Sequence, residues 1–478
     1  MKSSILKGTL IYTMANTIIK LGGLVFLPIM TRILTTEEFG IIGILSPITT
    51  IFTIVLGLGF YNVILKKYVD LKSNKKELER FKFTVVFFVF CLNVVVFLIL
   101  LLPISRRCIE KILNIDYILI LLSIVIAMVN SLNNIALSLF RIERKYYKVA
   151  VGSLISFFTN YILAIYFISK LGLGIRGSQF ANLFAVVTLF IFLYVEYFKD
   201  ISPNFSNKYL VYSIYNGIPL IFIELTDQLV NFSDRYILAR YNIAFSLIGA
   251  YTLAYTGSRI LAVITGSFIN AWTAELYENI YDERINRNLE LFFSILAFFC
   301  IGASLFSKEA ISLLFPAHYL KAIQYMPIVL TSTIVQSLYS LDYYFHYFEK
   351  SKYIVLFTFM ALVINVGLNI IFIPLFIDNA VLIAGLTTLI ALSVRAIIEF
   401  YIIKKYFKIS FRYKKFILYF LLAFNPLIFY ISRMDLSILA ISIKILYILI
   451  CIIILIKDDK NWKQHLQYLR QRIIGRKS

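Results

Sequence analysis

Residues 214–238 form an apolar run that is interrupted by Glu224, Asp227, Gln228, Asn231, Asp234 and Arg235. Glu224, Asp227, Asn231 and Asp234 recur at i, i+3, i+7 and i+10, which puts them along one face of an α-helix. At 1.5 Å per residue that stripe covers about 15 Å, roughly half a hydrocarbon core. Carboxylates there can hold protons or cations, and such a stripe cannot face lipid cheaply. The chain must fold so as to give it an interior.

Cations stand in comparable places. The next apolar run, residues 247–272, carries Arg259 near its middle. In the first run Thr9, Thr13, Asn16 and Lys20 fall at i, i+4, i+7 and i+11, another single face. Lys20 lies roughly 20 Å in from the N-terminal end, too deep for easy snorkelling. Lys20 and Arg259 have no evident anion on their own helices, which favours a functional role. Arg395 and Glu399, at i and i+4, can satisfy one another. Asn130, Asn133, Asn134 and Ser138, like Gln336, Ser340 and Asp342, add polar groups to other spans, where helix–helix hydrogen bonding is the plainer role for Asn and Ser.

These residues need helices to carry them, and the composition supplies helices of one kind. Of 478 residues, 60% are hydrophobic and 15% charged, with a mean hydropathy of +0.84. Apolar runs of about 20 to 27 residues recur from end to end, too long for strands and long enough to cross a bilayer. The spacing predicts an all-α polytopic membrane protein with about fourteen spans. They fall at residues 6–30, 39–63, 83–103, 117–140, 149–169, 178–196, 210–235, 246–272, 291–315, 323–347, 354–377, 380–403, 416–431 and 436–456; the last two are the first to drop if only twelve cross. The first run is too long for a signal-peptide core and lacks a cleavage site, so it reads as a retained helix.

Several function classes are excluded. Cys91, Cys108, Cys300 and Cys451 are far apart, and the three histidines are scattered, so no disulfide framework, metal site or cofactor is implied. Gly172-Leu-Gly-Ile-Arg-Gly177-Ser178 lacks the lysine of a phosphate-binding loop and reads as a connection between spans. The longest loop on the outer side, residues 104–116, is too short to hold a catalytic constellation. An enzyme is therefore not expected, and a gradient-driven transporter remains.

Basic residues sort the loops. Lys66, Lys67, Lys72, Lys75, Lys76, Arg80 and Lys82 share a side with Arg141, Arg144, Lys145 and Lys148, then with Lys404, Lys405, Lys408, Arg412, Lys414 and Lys415 and the tail 457–478. The positive-inside rule puts that side, and both termini, in the cytoplasm. The net charge of +21 is spread over short loops, which suits anionic lipid headgroups rather than nucleic acid. Residues 462–476 read equally as an amphipathic helix on the inner leaflet or as a solvated tail.

Internal similarity divides the chain. Arg32-Ile-Leu34 followed by Phe39-Gly40 is echoed by Asp234-Arg235-Tyr-Ile-Leu238 followed by Ile248-Gly249, six helices later and in the same orientation. This predicts a six-helix bundle over residues 1–196, a cytoplasmic linker over 197–209 and a second bundle over 210–403. Two accessory helices with a basic preceding loop follow over 404–456, then a basic tail over 457–478. Asp234-Arg235 itself reads as an interfacial anchor that pairs locally or reaches headgroups.

Leu34-Thr-Thr-Glu-Glu38-Phe39-Gly40, Leu58-Gly59-Phe60, Gly217-Ile-Pro219, Asp234-Arg235-x-x-Leu238 and Gly249-Ala-Tyr251-x-x-Ala254 together resemble the polysaccharide-exporting flippases of the multidrug/oligosaccharidyl-lipid/polysaccharide superfamily, the Wzx-type O-antigen flippases in particular. The resemblance implies a MATE-like architecture of two six-helix bundles around a cavity. It also implies movement of an undecaprenyl-diphosphate-linked oligosaccharide, for O-antigen or capsule, to the outer leaflet of a bacterial inner membrane. Lys20 and Arg259 would then bind the diphosphate, and Asn16 and Tyr255 the sugar. Glu224 and Asp227 would couple transport to H+ or Na+. Membrane lipids and other polysaccharide-assembly membrane proteins are the expected partners. A drug/cation antiporter of the same superfamily is the second reading, and a membrane glycan polymerase or ligase a distant third.

Overall fold

The computed structural model describes residues 2–107, 115–198, 203–434 and 437–458, with side chains from residue 11 to 454. The tail proposed as an amphipathic helix, and Cys108, lie outside these residues. Everything regular in the described chain is helical, as a bilayer demands, because only a helix satisfies its own backbone without water.

The helices are α1 (Lys2–Ile33), α2 (Thr36–Gly57), α3 (Phe60–Leu71), α4 (Lys75–Leu100), α5 (Tyr117–Ile142), α6 (Tyr146–Ser169), α7 (Gly174–Tyr197), α8 (Asn207–Arg240) and α9 (Phe245–Glu278). They continue as α10 (Glu283–Leu305), α11 (Ser307–Leu314), α12 (Met326–Ser337), α13 (Asp342–Tyr347), α14 (Lys352–Leu375), α15 (Ala380–Tyr406), α16 (Tyr413–Ala423), α17 (Pro426–Ile431) and α18 (Ile438–Asp458). Among the described residues twelve helices are long and apolar enough to cross a membrane, and Ile438–Ile454 is a shorter apolar one. Two of the fourteen expected spans do not qualify: the last, residues 436–456, is that shorter helix, and the tenth hides a break. The tenth, residues 323–347, is broken by a 3-10 turn at Leu338–Leu341 between α12 and α13, so it fails as an uninterrupted span. Residues 413–431, expected to drop first with the last helix, qualify instead.

Two compact units emerge, one of residues 1–252 with 355–388, the other of 253–354 with 389–478. In the first, alternate connections meet at common ends. Lys82 reaches Glu143 at 2.6 Å, Lys145 reaches Glu143 at 2.9 Å, and Lys148 reaches Glu196 at 2.6 Å, which ties the two basic loops together. The other connections join through Arg176 and Asp116 at 2.7 Å and through Glu38, whose Oε1 accepts the Ile175 N–H at 3.0 Å. The bond from Arg176 holds the Asp116 carboxyl below its usual range. Glu38 also closes a capping box with Thr35 at the start of α2, so one carboxylate caps one helix and positions the next. Gly174, at φ +51°, leaves room for it: a Cβ there would lie 2.2 Å from Glu38 Oε1. Phe60, Ile64, Phe81, Val85, Phe140 and Leu193 belong to the packed interior of this unit.

In the second unit the last helix is fastened by charge. Lys444 of α18 is buried and donates to Glu309 of α11 at 2.6 Å. A lone buried ammonium would be costly, so the pair holds α18 in register.

Candidate functional site

The polar stripe of α8 divides into an accessible half and a sealed one. Glu224 is half-buried, and its carboxylate accepts the Tyr61 hydroxyl and, at 3.1 Å, the Asn62 amide. Both donors sit in the first turn of α3, and glycine explains how they arrive there. Leu58 and Gly59, at φ +49° and +65°, break the run between α2 and α3. A Cβ on Gly59 would lie 2.6 Å from the Gly217 carbonyl oxygen, and one on Gly217 would lie 2.2 Å from that of Leu58. The two backbones therefore touch, and two turns further along α8 Glu224 comes opposite Tyr61 and Asn62. Neutral donors alone hold it, with no ion pair among the described residues. A carboxylate so placed can take up a proton or cation without first breaking a salt bridge.

Asp227 is half-buried one turn on, and Asn231 folds back to donate to the Asp227 carbonyl at 2.8 Å. Asp234 and Arg235 are different: they are 0% and 3% exposed. Asp234 accepts the Tyr251 hydroxyl at 2.8 Å and its neighbour's N–H at 2.7 Å, while the Arg235 guanidinium lies over the Phe232 and Tyr251 rings. The expected interfacial anchor is thus corrected. The local pairing is there, but residues this deeply buried do not reach headgroups, because Tyr251 and the aromatic rings enclose them.

On α1, Gly22 and Phe26 face α6: a Cβ on Gly22 would lie 2.6 Å from the Phe157 ring, and Phe26 stacks on Tyr161 at 4.3 Å. That leaves Thr13 and Lys20 exposed and Asn16 half-buried. Lys20 makes no hydrogen bond or ion pair with any described residue. Arg259 is exposed and Tyr255 half-buried on α9, in the second unit, and both are engaged by other residues. The structure brings together Glu224 with Asp227 on one helix and Asn16 with Lys20 on another.

Two features escaped the sequence reading. Ser233, Asn365, Asn369, Thr387 and Thr388 form a neutral cluster in the first unit. In it Asn365 receives Ser233 at 3.0 Å and donates to Thr388 at 2.9 Å, and Thr387 donates to Asn369 at 2.6 Å. Asn365 and Asn369 at i and i+4 followed by Thr387-Thr388 was a legible signal. In the second unit a pocket of about 420 Å³ is lined by Phe293, Leu338, Phe400, Phe416 and Phe420, with Lys404 also on its wall. Only the structure joins those four segments. Asn133, by contrast, does what was expected of it, donating across to the Val186 carbonyl at 3.0 Å.

The family model described as "Polysaccharide biosynthesis protein" matches residues 5–273. No curated protein sequence is significantly similar. Among solved structures, the chain is similar to a lipid II flippase MurJ in an inward closed conformation, with a TM-score of 0.73 and 17% identity over 94% of this chain and 99% of that one. A multidrug resistance MATE family transporter of the MOP superfamily, inward-facing, gives 0.62 and 17% over 82% and 92%. A MOP superfamily transporter from Pyrococcus furiosus gives 0.51 and 17% over 84% and 94%. At such identity the likeness is one of fold.

Proposed function

We infer the function from one premise: this chain belongs to the polysaccharide biosynthesis protein family. We propose that it is a flippase for an undecaprenyl-diphosphate-linked oligosaccharide of the O-antigen or capsule type. It moves the repeat unit from the cytoplasmic to the outer leaflet of a bacterial inner membrane by alternating access, with both termini cytoplasmic. The observation that carries this reading is Lys20. It is exposed on α1, 13 residues or about 20 Å from the helix end at Ile33, with no protein partner among the described residues. A cation there calls for an anionic ligand or an aqueous cavity, and a lipid diphosphate supplies the former.

In this reading Lys20 and Arg259 bind the diphosphate, Asn16 and Tyr255 meet sugar hydroxyls, and Glu224 and Asp227 couple the cycle to H+ or Na+. The apolar pocket with Lys404 on its wall suits the hydrocarbon chain of the same substrate. Other glycan-assembly membrane proteins would supply and consume it.

The test is reconstitution. Proteoliposomes loaded with the lipid-linked oligosaccharide are challenged with a membrane-impermeant glycosidase, and the protected fraction is followed in time. Protein-dependent transfer that Lys20→Ala abolishes supports the flippase. Failure to move the lipid, with proton-driven efflux of an organic cation instead, establishes the antiporter. That second reading draws support from the fold shared with multidrug transporters and from Glu224, which has no ion-pair partner among the described residues.

A further inference from the structure

We propose that Asp342, Arg395 and Glu399 form a proton-binding site, one proton being held by two carboxylates that share a single guanidinium, and that its occupancy is felt at the break between α12 and α13. Arg395 Nη2 donates to Asp342 Oδ1 at 2.9 Å and Oδ2 at 2.8 Å, and its Nε donates to Glu399 Oε1 at 2.6 Å. The Tyr339 ring closes one face of the guanidinium, 3.7 Å away. Arg395 and Glu399 are each 1% exposed. One positive and two negative charges therefore share a site in which Glu399 is buried and the Asp342 side chain is 17% exposed, so the surplus negative charge is poorly solvated.

The second oxygen of Glu399 shows where the remedy fits. Glu399 Oε2 is buried and receives no hydrogen bond, and Asp342 is the neighbour with which a proton on it would pair. A proton needs one lone pair. A metal cation would meet the guanidinium's charge at short range and find few further oxygens, and among the described residues no group of acids, histidines and cysteines is arranged to hold one.

Among the described residues no second cation bonds to either carboxylate. His346, one turn beyond Asp342 on α13, is exposed and engaged with Ser351 at 2.9 Å. On α10, Glu290 is bound to the Arg412 N–H at 3.1 Å, and Asn286 accepts the Tyr344 hydroxyl at 2.6 Å. Tyr413 lies under Lys404, and Tyr277 of α9 packs on Tyr343. Asp342 is also the first residue of α13, directly after the 3-10 turn. Short 3-10 stretches inside a helix often mark hinges, so a change in how Asp342 grips Arg395 acts where the helix is already broken. The site stands whether or not the chain moves a lipid-linked glycan, because its occupancy is read on the resting protein.

Infrared spectroscopy of the purified full chain in lipid nanodiscs tests it. The wild type at neutral pH should show a protonated-carboxyl C=O band that disappears in Glu399→Gln and equally in Asp342→Asn, since either neutral replacement removes the surplus charge. Absence of the band from the wild type, or its survival in both variants, overturns the proposal. A second measurement needs no change in the triad. Of the two tryptophans, Trp272 packs edge-on against Tyr344 of α13 at 5.9 Å. In Trp462→Phe protein its emission should shift over the pH interval in which the band is lost. Emission that stays constant across that interval overturns the link to the broken helix.

Discussion

Gly40 and Gly249 cross with their backbones in contact. A Cβ on Gly40 would lie 2.0 Å from the Phe245 carbonyl oxygen, and one on Gly249 would lie 2.0 Å from that of Thr36. The contact is reciprocal, each glycine meeting the residue that opens or precedes the other's helix. These are the glycines of the two similar sequence segments, so the segments recognise each other. Small residues at such crossings let helices approach closely where lipid offers no hydrophobic drive.

Gly249→Ala should therefore destabilise the protein by at least about 1–3 kcal/mol, because the obstructing atom is a backbone carbonyl that cannot rotate away. A lower thermal midpoint and a reduced folded fraction in detergent are the expected results. Gly266→Ala is the control. It is helical with open space around its Cβ, so it should be neutral or slightly stabilising, by up to about 1 kcal/mol. Equal melting of the two variants would remove the crossing from the account.

Most of the fold was legible because hydropathy and length are one-dimensional signals. Most helices came through, with boundaries displaced by as much as Glu283–Leu305 against the expected 291–315, and the glycines of the motifs turned out to be crossing points. What was missed is three-dimensional. Periodicity cannot see a 3-10 turn at Leu338–Leu341, where Gln336, Ser340 and Asp342 read simply as polar groups within one continuous span. Nor could it tell that Asp234-Arg235 is sealed by Tyr251, which lies 17 residues away. Glu224 was found by its spacing, but its donors Tyr61 and Asn62 depend on Leu58 and Gly59 adopting left-handed conformations. The Thr35–Glu38 capping box was readable in the sequence as a pair and was passed over.

Asp234 should behave as a structural residue. Asp234→Ala removes the carboxylate that accepts the Tyr251 hydroxyl and the Arg235 N–H and should cost about 1–3 kcal/mol or more. Tyr251→Phe removes only one donor and should cost about 1 kcal/mol. Folded yield and melting temperature follow the substitutions in that order. Asp234→Ala protein of wild-type stability that has lost only transport would show instead that the residue serves the substrate.

Lys20 is open to the opposite expectation. It is exposed and makes no hydrogen bond or ion pair among the described residues, so Lys20→Ala should melt within about 0.5 kcal/mol of the wild type. Losing a charge-assisted contact to a diphosphate should nevertheless lower transport roughly 10- to 100-fold. In cells this appears as lipid-linked repeat units accumulating on the cytoplasmic side while surface glycan disappears. Arg259→Ala should give the same phenotype. Lys20→Arg should keep part of the activity, since the charge remains but its geometry changes. Normal surface glycan in both alanine variants at normal protein levels would refute the assignment.

Glu224 separates coupling from architecture. In Glu224→Gln the amide oxygen can still accept from Asn62 while the amide nitrogen donates to the Tyr61 hydroxyl oxygen, so stability should change by less than about 1 kcal/mol. The group can no longer titrate. Transport driven by an imposed proton or sodium gradient should therefore fall to the rate seen without one, while downhill exchange of substrate persists. Tyr61→Phe supplies the complementary case. It removes one donor to the carboxylate and leaves the charge in place, so gradient stimulation should survive. Reconstituted vesicles with and without a gradient distinguish the two variants. Glu224→Gln that still responds fully to the gradient would move the coupling role to Asp227 or out of α8 altogether.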